Sequence, residues 1–154
     1  DYAQQVFLPY IVAQLHHASR VDIVWDQYFS DSLKGETRRK RGRVVRRRVQ
    51  ASSRIQGNWQ EFLRIDENKI ELFAFLATIV TSMTSESNKD VISTYNSDVL
   101  SNHPRDLARL APCTHEEADT RIILHLEDAV KDGNDKLSIR TVDTDVVVLA
   151  VTTA

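Results

Sequence analysis

The 154 residues include one cysteine, one methionine, three prolines and four glycines. A lone thiol, Cys113, rules out an internal disulfide and a zinc site built on paired cysteines. Such thiol economy fits a reducing compartment, so an intracellular location, nuclear or cytoplasmic, is expected. Long hydrophobic runs are missing too. The stretch Val146–Val151 is among the longest, far below the roughly 20 residues a bilayer-crossing helix needs, so no membrane partner is expected. No internal repeat or low-complexity segment is present. The chain opens on Asp1-Tyr2-Ala3, without an initiator Met or a signal-peptide pattern, and stops inside an apolar run; it reads as a slice of a longer protein.

What is present fits one globular α/β domain spanning 1–154. Hydrophobic residues make up 42% and charged residues 27%, within the ordinary globular range, and a chain of this length buries roughly 70% of its unfolded surface. The formal net charge of -2 hides a segregation. Lys34, Arg38, Arg39, Lys40, Arg41, Arg43, Arg46, Arg47 and Arg48 crowd into one stretch, while the remainder is acidic. These cations repel one another unless an anion or solvent screens them, so 34–54 is expected to be a basic loop or a partly ordered helix. A nucleic-acid backbone is the partner that best matches such a run. A nuclear-localisation signal and a solvated basic face are the plainer readings.

Pro9 suits the first turn of a helix with Ile11, Leu15 and Ala18 on one face, ending near Ser19. Val21–Asp26 has the composition of a buried parallel strand with Asp26 at its C-terminal end. Asn58 and Glu61 form a capping-box pattern, and Asp66 opens a second helix running to about Met83. Val91–Tyr95 is a strand candidate, and 96–112 an irregular connection. Thr114 with Glu117 predicts a helix cap, and Gly133 a helix stop. Leu137–Val142 is the third strand candidate, followed by a short buried helix over Val146–Val151. This order argues for a mostly parallel sheet flanked by helices.

In such sheets ligands bind beyond the C-terminal ends of the strands, where Asp26 and the pair Asp143/Asp145 are expected. Glu117 and Asp119 add two acids at the start of the preceding helix. Carboxylates crowded there need raised pKa values or a bound cation, and hard oxygen ligands favour Mg2+ or Mn2+. The segment Glu117-Ala118-Asp119, a helix, a strand and then Asp143-Thr144-Asp145-Val146-Val147-Val148-Leu149 resembles the paired acidic motifs of flap-endonuclease and related PIN-like nucleases. Val24-Trp25-Asp26, followed by Ser32-Leu33-Lys34-Gly35-Glu36 and the arginine run, is similar to that family's strand-ending Asp, Lys-containing loop and basic helix. The resemblance spans about Arg20 to Leu149. It implies a PIN-like, Rossmann-like three-layer fold lacking the family's first strand, and a metal-dependent nuclease hydrolysing DNA or RNA. It implies metal-ligand roles for Asp26, Glu117, Asp119, Asp143 and Asp145, and phosphate contacts for Lys34 and the arginines that follow. A catalytically inactive module binding nucleic acid or protein is the alternative.

Each acid also has a structural reading. Glu117 and Asp143 suit helix caps, and Glu116 is an alternative partner for Asp119. Glu117 and Asp119 reach one point only if their helix begins near Glu117. Asp26 also fits a receiver-type phosphoacceptor. His115, the scattered His16, His17, His103 and His125, and Cys113 are assigned no role, and Trp59, Phe62, Phe73 and Phe75 are expected in the core.

Overall fold

The structure, a computed structural model, describes residues 2–28, 49–50, 58–85, 87–115, 117–141 and 143–153. Lys34 and the arginines from Arg38 to Arg48 lie outside the described residues, as does Glu116. A π-helical turn, Ala3–Phe7, leads into α1 (Leu8–Leu15), then β1 (Arg20–Ile23), α2 (Trp59–Phe62), α3 (Asp66–Met83), β2 (Asp90–Tyr95), β3 (Asp98–Ser101), α4 (Ala118–Lys131) and α5 (Thr144–Thr153). This is an α/β arrangement around a small mixed sheet of order β1-β2-β3. β1 runs parallel to β2, with Arg20 opposite Asp90 and Ile23 opposite Ser93. β2 and β3 form an antiparallel hairpin, Tyr95 opposite Asp98. Asn96 at its turn takes φ 53°, a left-handed conformation that asparagine tolerates better than most residues.

Successive residues of β2 face opposite sides of the sheet, and that alternation builds the layers. Val91 packs with Ile11, Leu15 and Val80 on the side of α1 and α3. Its neighbour Ile92 packs on the other side with Val99, Leu110 and Leu124, the last from α4. Both residues are fully buried, so β2 is the centre of the core. A third cluster, around Leu72 and Leu76, gathers Trp25, Val49, Trp59, Phe62, Phe73 and Phe75. Trp59 and Phe62 stack within it at 5.2 Å, as expected for core aromatics.

Three expectations need correction. Residues 96–112 are not wholly irregular, because β3 forms within them and takes the second edge of β2. Leu137–Thr141 form no strand: alternation specifies one where a face is buried, and here Leu137, Ser138 and Arg140 stay exposed. A mostly parallel sheet is therefore replaced by a mixed one. The apolar run after Asp145 is helical, yet it is not buried. Val146 is covered, while Val147, Val148 and Val151 are 55%, 61% and 74% exposed.

The edge of the sheet where β1 and β2 begin is held by ions. Arg20 binds Asp22 at 2.7 Å, Asp128 at 2.8 Å and Asp132 at 2.8 Å. Arg109 binds Asp128 at 2.7 Å and Asp132 at 3.0 Å. Arg105 joins Asp132 and reaches Asp90, which also pairs with His103. On the α4 face of β1, His125 Nδ1 meets Asp22 Oδ2 at 2.7 Å, so this histidine is buried and paired. Burial works against ionised Asp22, yet hydrogen bonds from Arg20 and His125 hold its carboxyl below the usual range. Asp128 is likewise opposed by burial and held low by Arg109 and Arg20. Burial disfavours charged Arg20 as well, but Asp22 and Asp128 raise its pKa above the ordinary value.

Candidate functional site

At the opposite edge, beyond the C-terminal ends of parallel β1 and β2, the chain leaves a cleft of 180 Å³. Trp25, Asp26, Gln27 and Tyr28 supply one wall, Ile70, Phe73 and Ala74 of α3 another, and Thr94, Asn96 and Arg121 the rest. The wall that follows β1 is held to β2 by side chains. Trp25 donates its backbone N–H to Thr94 Oγ1 at 2.9 Å and its indole Nε1–H to Ser93 Oγ at 3.1 Å. Its ring stacks on Phe73 with centroids 4.6 Å apart. These contacts direct Asp26 towards the start of α4.

Asp26 Oδ1 accepts the backbone N–H of Ala118, the first residue of α4, at 3.1 Å. The first turn of a helix has unsatisfied N–H groups and a partial positive charge, so a carboxylate from another element is favourable there. Tyr28 donates its hydroxyl to Asp26 Oδ2 at 3.3 Å. Lys69 lies over the Tyr28 ring, 4.5 Å from its centroid.

Helix α4 begins at Ala118 with Glu117 as its extended N-cap, so the expected cap at Thr114 is displaced by three residues. Glu117 and Asp119 therefore flank the helix start that Asp26 touches, which is the condition under which they share one neighbourhood. Asp119 Oδ1 accepts the N–H of Thr120 at 2.7 Å. Asp143 and Asp145 are placed differently from the expectation. No sheet strand delivers them; Asp143 sits before α5 and its Oδ1 accepts the N–H of Asp145 at 2.9 Å, a capping contact. Helix α5 packs against α4.

A shared divalent cation needs several oxygens around one point. Among the described residues, no group of three or more His, Cys, Asp or Glu side chains is placed to hold a metal ion. Among the described residues, the acids that the resemblance assigns to Mg2+ or Mn2+ are therefore not gathered into such a set. Asp26, Asp119 and Asp143 each give an oxygen to a backbone N–H instead.

Sequence reasoning missed Arg121. Its side chain is 1% exposed at the cleft wall, one turn into α4, and Nη1 donates to the carbonyl of Asn96 at 2.7 Å, with Nη2 near the carbonyl of Asp98 at 3.3 Å. Among the described residues it forms no salt bridge, and burial lowers its pKa. An arginine four residues after Glu117 was the available signal, but on a helix surface that spacing reads as an ordinary exposed pair.

No protein-family model, curated protein or solved structure matches this chain. No helix among the described residues is long and apolar enough to cross a membrane.

Proposed function

We propose that this domain is a nuclease-like module that binds the phosphate backbone of DNA or RNA at the cleft beyond β1 and β2. The observation that carries this reading is where the basic run leaves and rejoins the described fold. In the sequence the segment holding it follows Tyr28, a cleft residue, and precedes Val49, which packs in the same cluster as the cleft residues Trp25 and Phe73. Val49 is further tied to α3 by its N–H to Glu71 Oε2 at 3.0 Å. Lys34 is six residues from Tyr28 in the sequence. Arg48 is bonded directly to Val49. The described residues that flank this segment in the sequence, Tyr28 and Val49, thus belong to or pack beside the edge where open α/β sheets place their ligands.

The test is a salt titration of oligonucleotide binding by fluorescence anisotropy. Affinity should fall steeply as salt rises, and neutralising Arg38, Arg39, Arg41, Arg43, Arg46, Arg47 and Arg48 should flatten that slope. Absence of binding at low salt would remove the reading and leave the run as an address signal.

Metal-dependent hydrolysis is the second reading, and it rests on the resemblance of the acidic motifs in the sequence. It predicts cleavage of labelled DNA or RNA with Mg2+ or Mn2+ that EDTA stops, and its loss in Asp145→Asn. If no divalent ion supports cleavage while binding persists, the inactive binding module is the correct description.

A further inference from the structure

A guanidinium is costly to bury unless an anion compensates it, yet Arg121 is buried against two neutral carbonyl groups. Burial lowers its pKa, and the nearby Asp98 and Cys113 offset that only in part. Among the described residues Asp26 is the carboxylate lining the cleft, and its two oxygens accept from Ala118 and Tyr28 at 3.1 and 3.3 Å. Lys69 stands behind the cleft residue Tyr28, its Nζ 3.4 Å from the hydroxyl, and Asp66 shares it at 3.2 Å. The Asn96 side chain is exposed on the hairpin turn that Arg121 grips. Pockets that hold whole small ligands measure roughly 300–1,000 Å³, so 180 Å³ suits a single group of a larger molecule.

We propose that this cleft is a receptor for one phosphate group, with Arg121 providing positive charge from its wall, Asn96 and Tyr28 lining it, and Lys69 behind Tyr28. A buried charge beside a low-dielectric pocket acts on an entering anion more strongly than a solvated one does. The arginine also anchors the β2–β3 turn, so an entering phosphate and the hairpin draw on the same side chain. This rests on the nucleic-acid reading for its biological ligand, since a phosphodiester or a strand-end phosphate carries the required chemistry. It adds a defined position for one phosphate, separate from the arginine run.

The experiment is thermal unfolding of the whole domain with inorganic phosphate, against sodium chloride at matched ionic strength. Saturating phosphate should raise the melting temperature by roughly 2–4 °C beyond chloride, the shift expected for a weakly bound ligand on a domain this size. Arg121→Gln should abolish that increment, and Arg121→Lys should retain part of it. Should Arg121→Gln fail to fold, Asn96→Ala and Lys69→Gln serve instead, each expected to reduce the increment. Equal effects of phosphate and chloride on the wild type, or an increment unchanged in Arg121→Gln, would overturn the proposal. A strand-end phosphate predicts a larger shift with an end-phosphorylated oligonucleotide than with its hydroxyl-ended counterpart; an internal phosphate predicts equal shifts, and both must depend on Arg121. Oligonucleotide binding that persists without any phosphate-specific increment sinks this site alone, whereas loss of oligonucleotide binding with the increment intact sinks the nucleic-acid reading alone.

Discussion

Replacing Arg20 by methionine removes the cation shared by Asp22, Asp128 and Asp132 while keeping most of the side-chain volume. Arg20 and Asp128 side chains are 5% and 1% exposed, so solvent does little to stabilise a carboxylate left alone. Breaking a buried pair from one side costs about 3–5 kcal/mol. Here Asp22 keeps His125, and Asp128 and Asp132 keep Arg109, which places the loss near the lower end, about 3 kcal/mol. Urea unfolding followed by circular dichroism should show the midpoint falling by roughly 1–2 M, for a slope of about 2 kcal/mol per M. The effect should also depend on pH. Asp22 and Asp128 have folded values depressed below 3.8, so the unfolded chain takes up protons first as pH falls. Their stabilisation is complete above the unfolded value, erodes from about pH 5 downward, and is lost below the folded values. In Arg20→Met the depression is smaller, so the gap between variant and wild type should close in acid. An unchanged midpoint at neutral pH, or a gap that widens in acid, would refute the view that these ions hold the β1–α4 edge.

Asp26→Ala should lower stability by about 1 kcal/mol through loss of the cap on α4, and Asp26→Asn by less, both read from urea midpoints. Ile92→Ala should cost about 3–4 kcal/mol and Ile92→Val about 1, because the residue is fully buried among Val99, Leu110 and Leu124. Asp143→Asn should leave thermal stability nearly unchanged, since asparagine also caps helices, which makes it a clean probe of any metal-dependent activity.

Several elements were legible in the sequence because local chemistry decides them. The Asn58–Glu61 pattern opens α2, with the Glu61 N–H donated to Asn58 Oδ1 at 3.1 Å. Helix α3 ends at Met83 as its periodicity predicts, and Gly133 follows α4 with φ +87°, a conformation other residues resist. What long-range partners decide was not legible. Leu137–Thr141 alternates like a strand, but alternation does not supply a core for its apolar face, and Leu137 stays exposed. Asp98–Ser101, with only Val99 and Leu100 apolar, becomes a strand because Asn96 and Ser97 make a tight turn beside β2. The acids were readable as types and not as positions. A carboxylate beside a helix start suits a metal and a backbone N–H equally well, and at Asp26 and Asp143 the backbone takes an oxygen. His125 and Asp22, 103 positions apart, meet only through the packing of α4 on β1.

The most direct measurement is a map of amide chemical-shift changes as a short oligonucleotide is titrated into the domain. Binding at the proposed edge predicts the largest changes at Trp25 to Tyr28, Asn96 and Glu117 to Arg121, weakening as salt rises. Changes concentrated at the other end of the sheet, around Arg20, Asp90, Arg105 and Asp132, would contradict it.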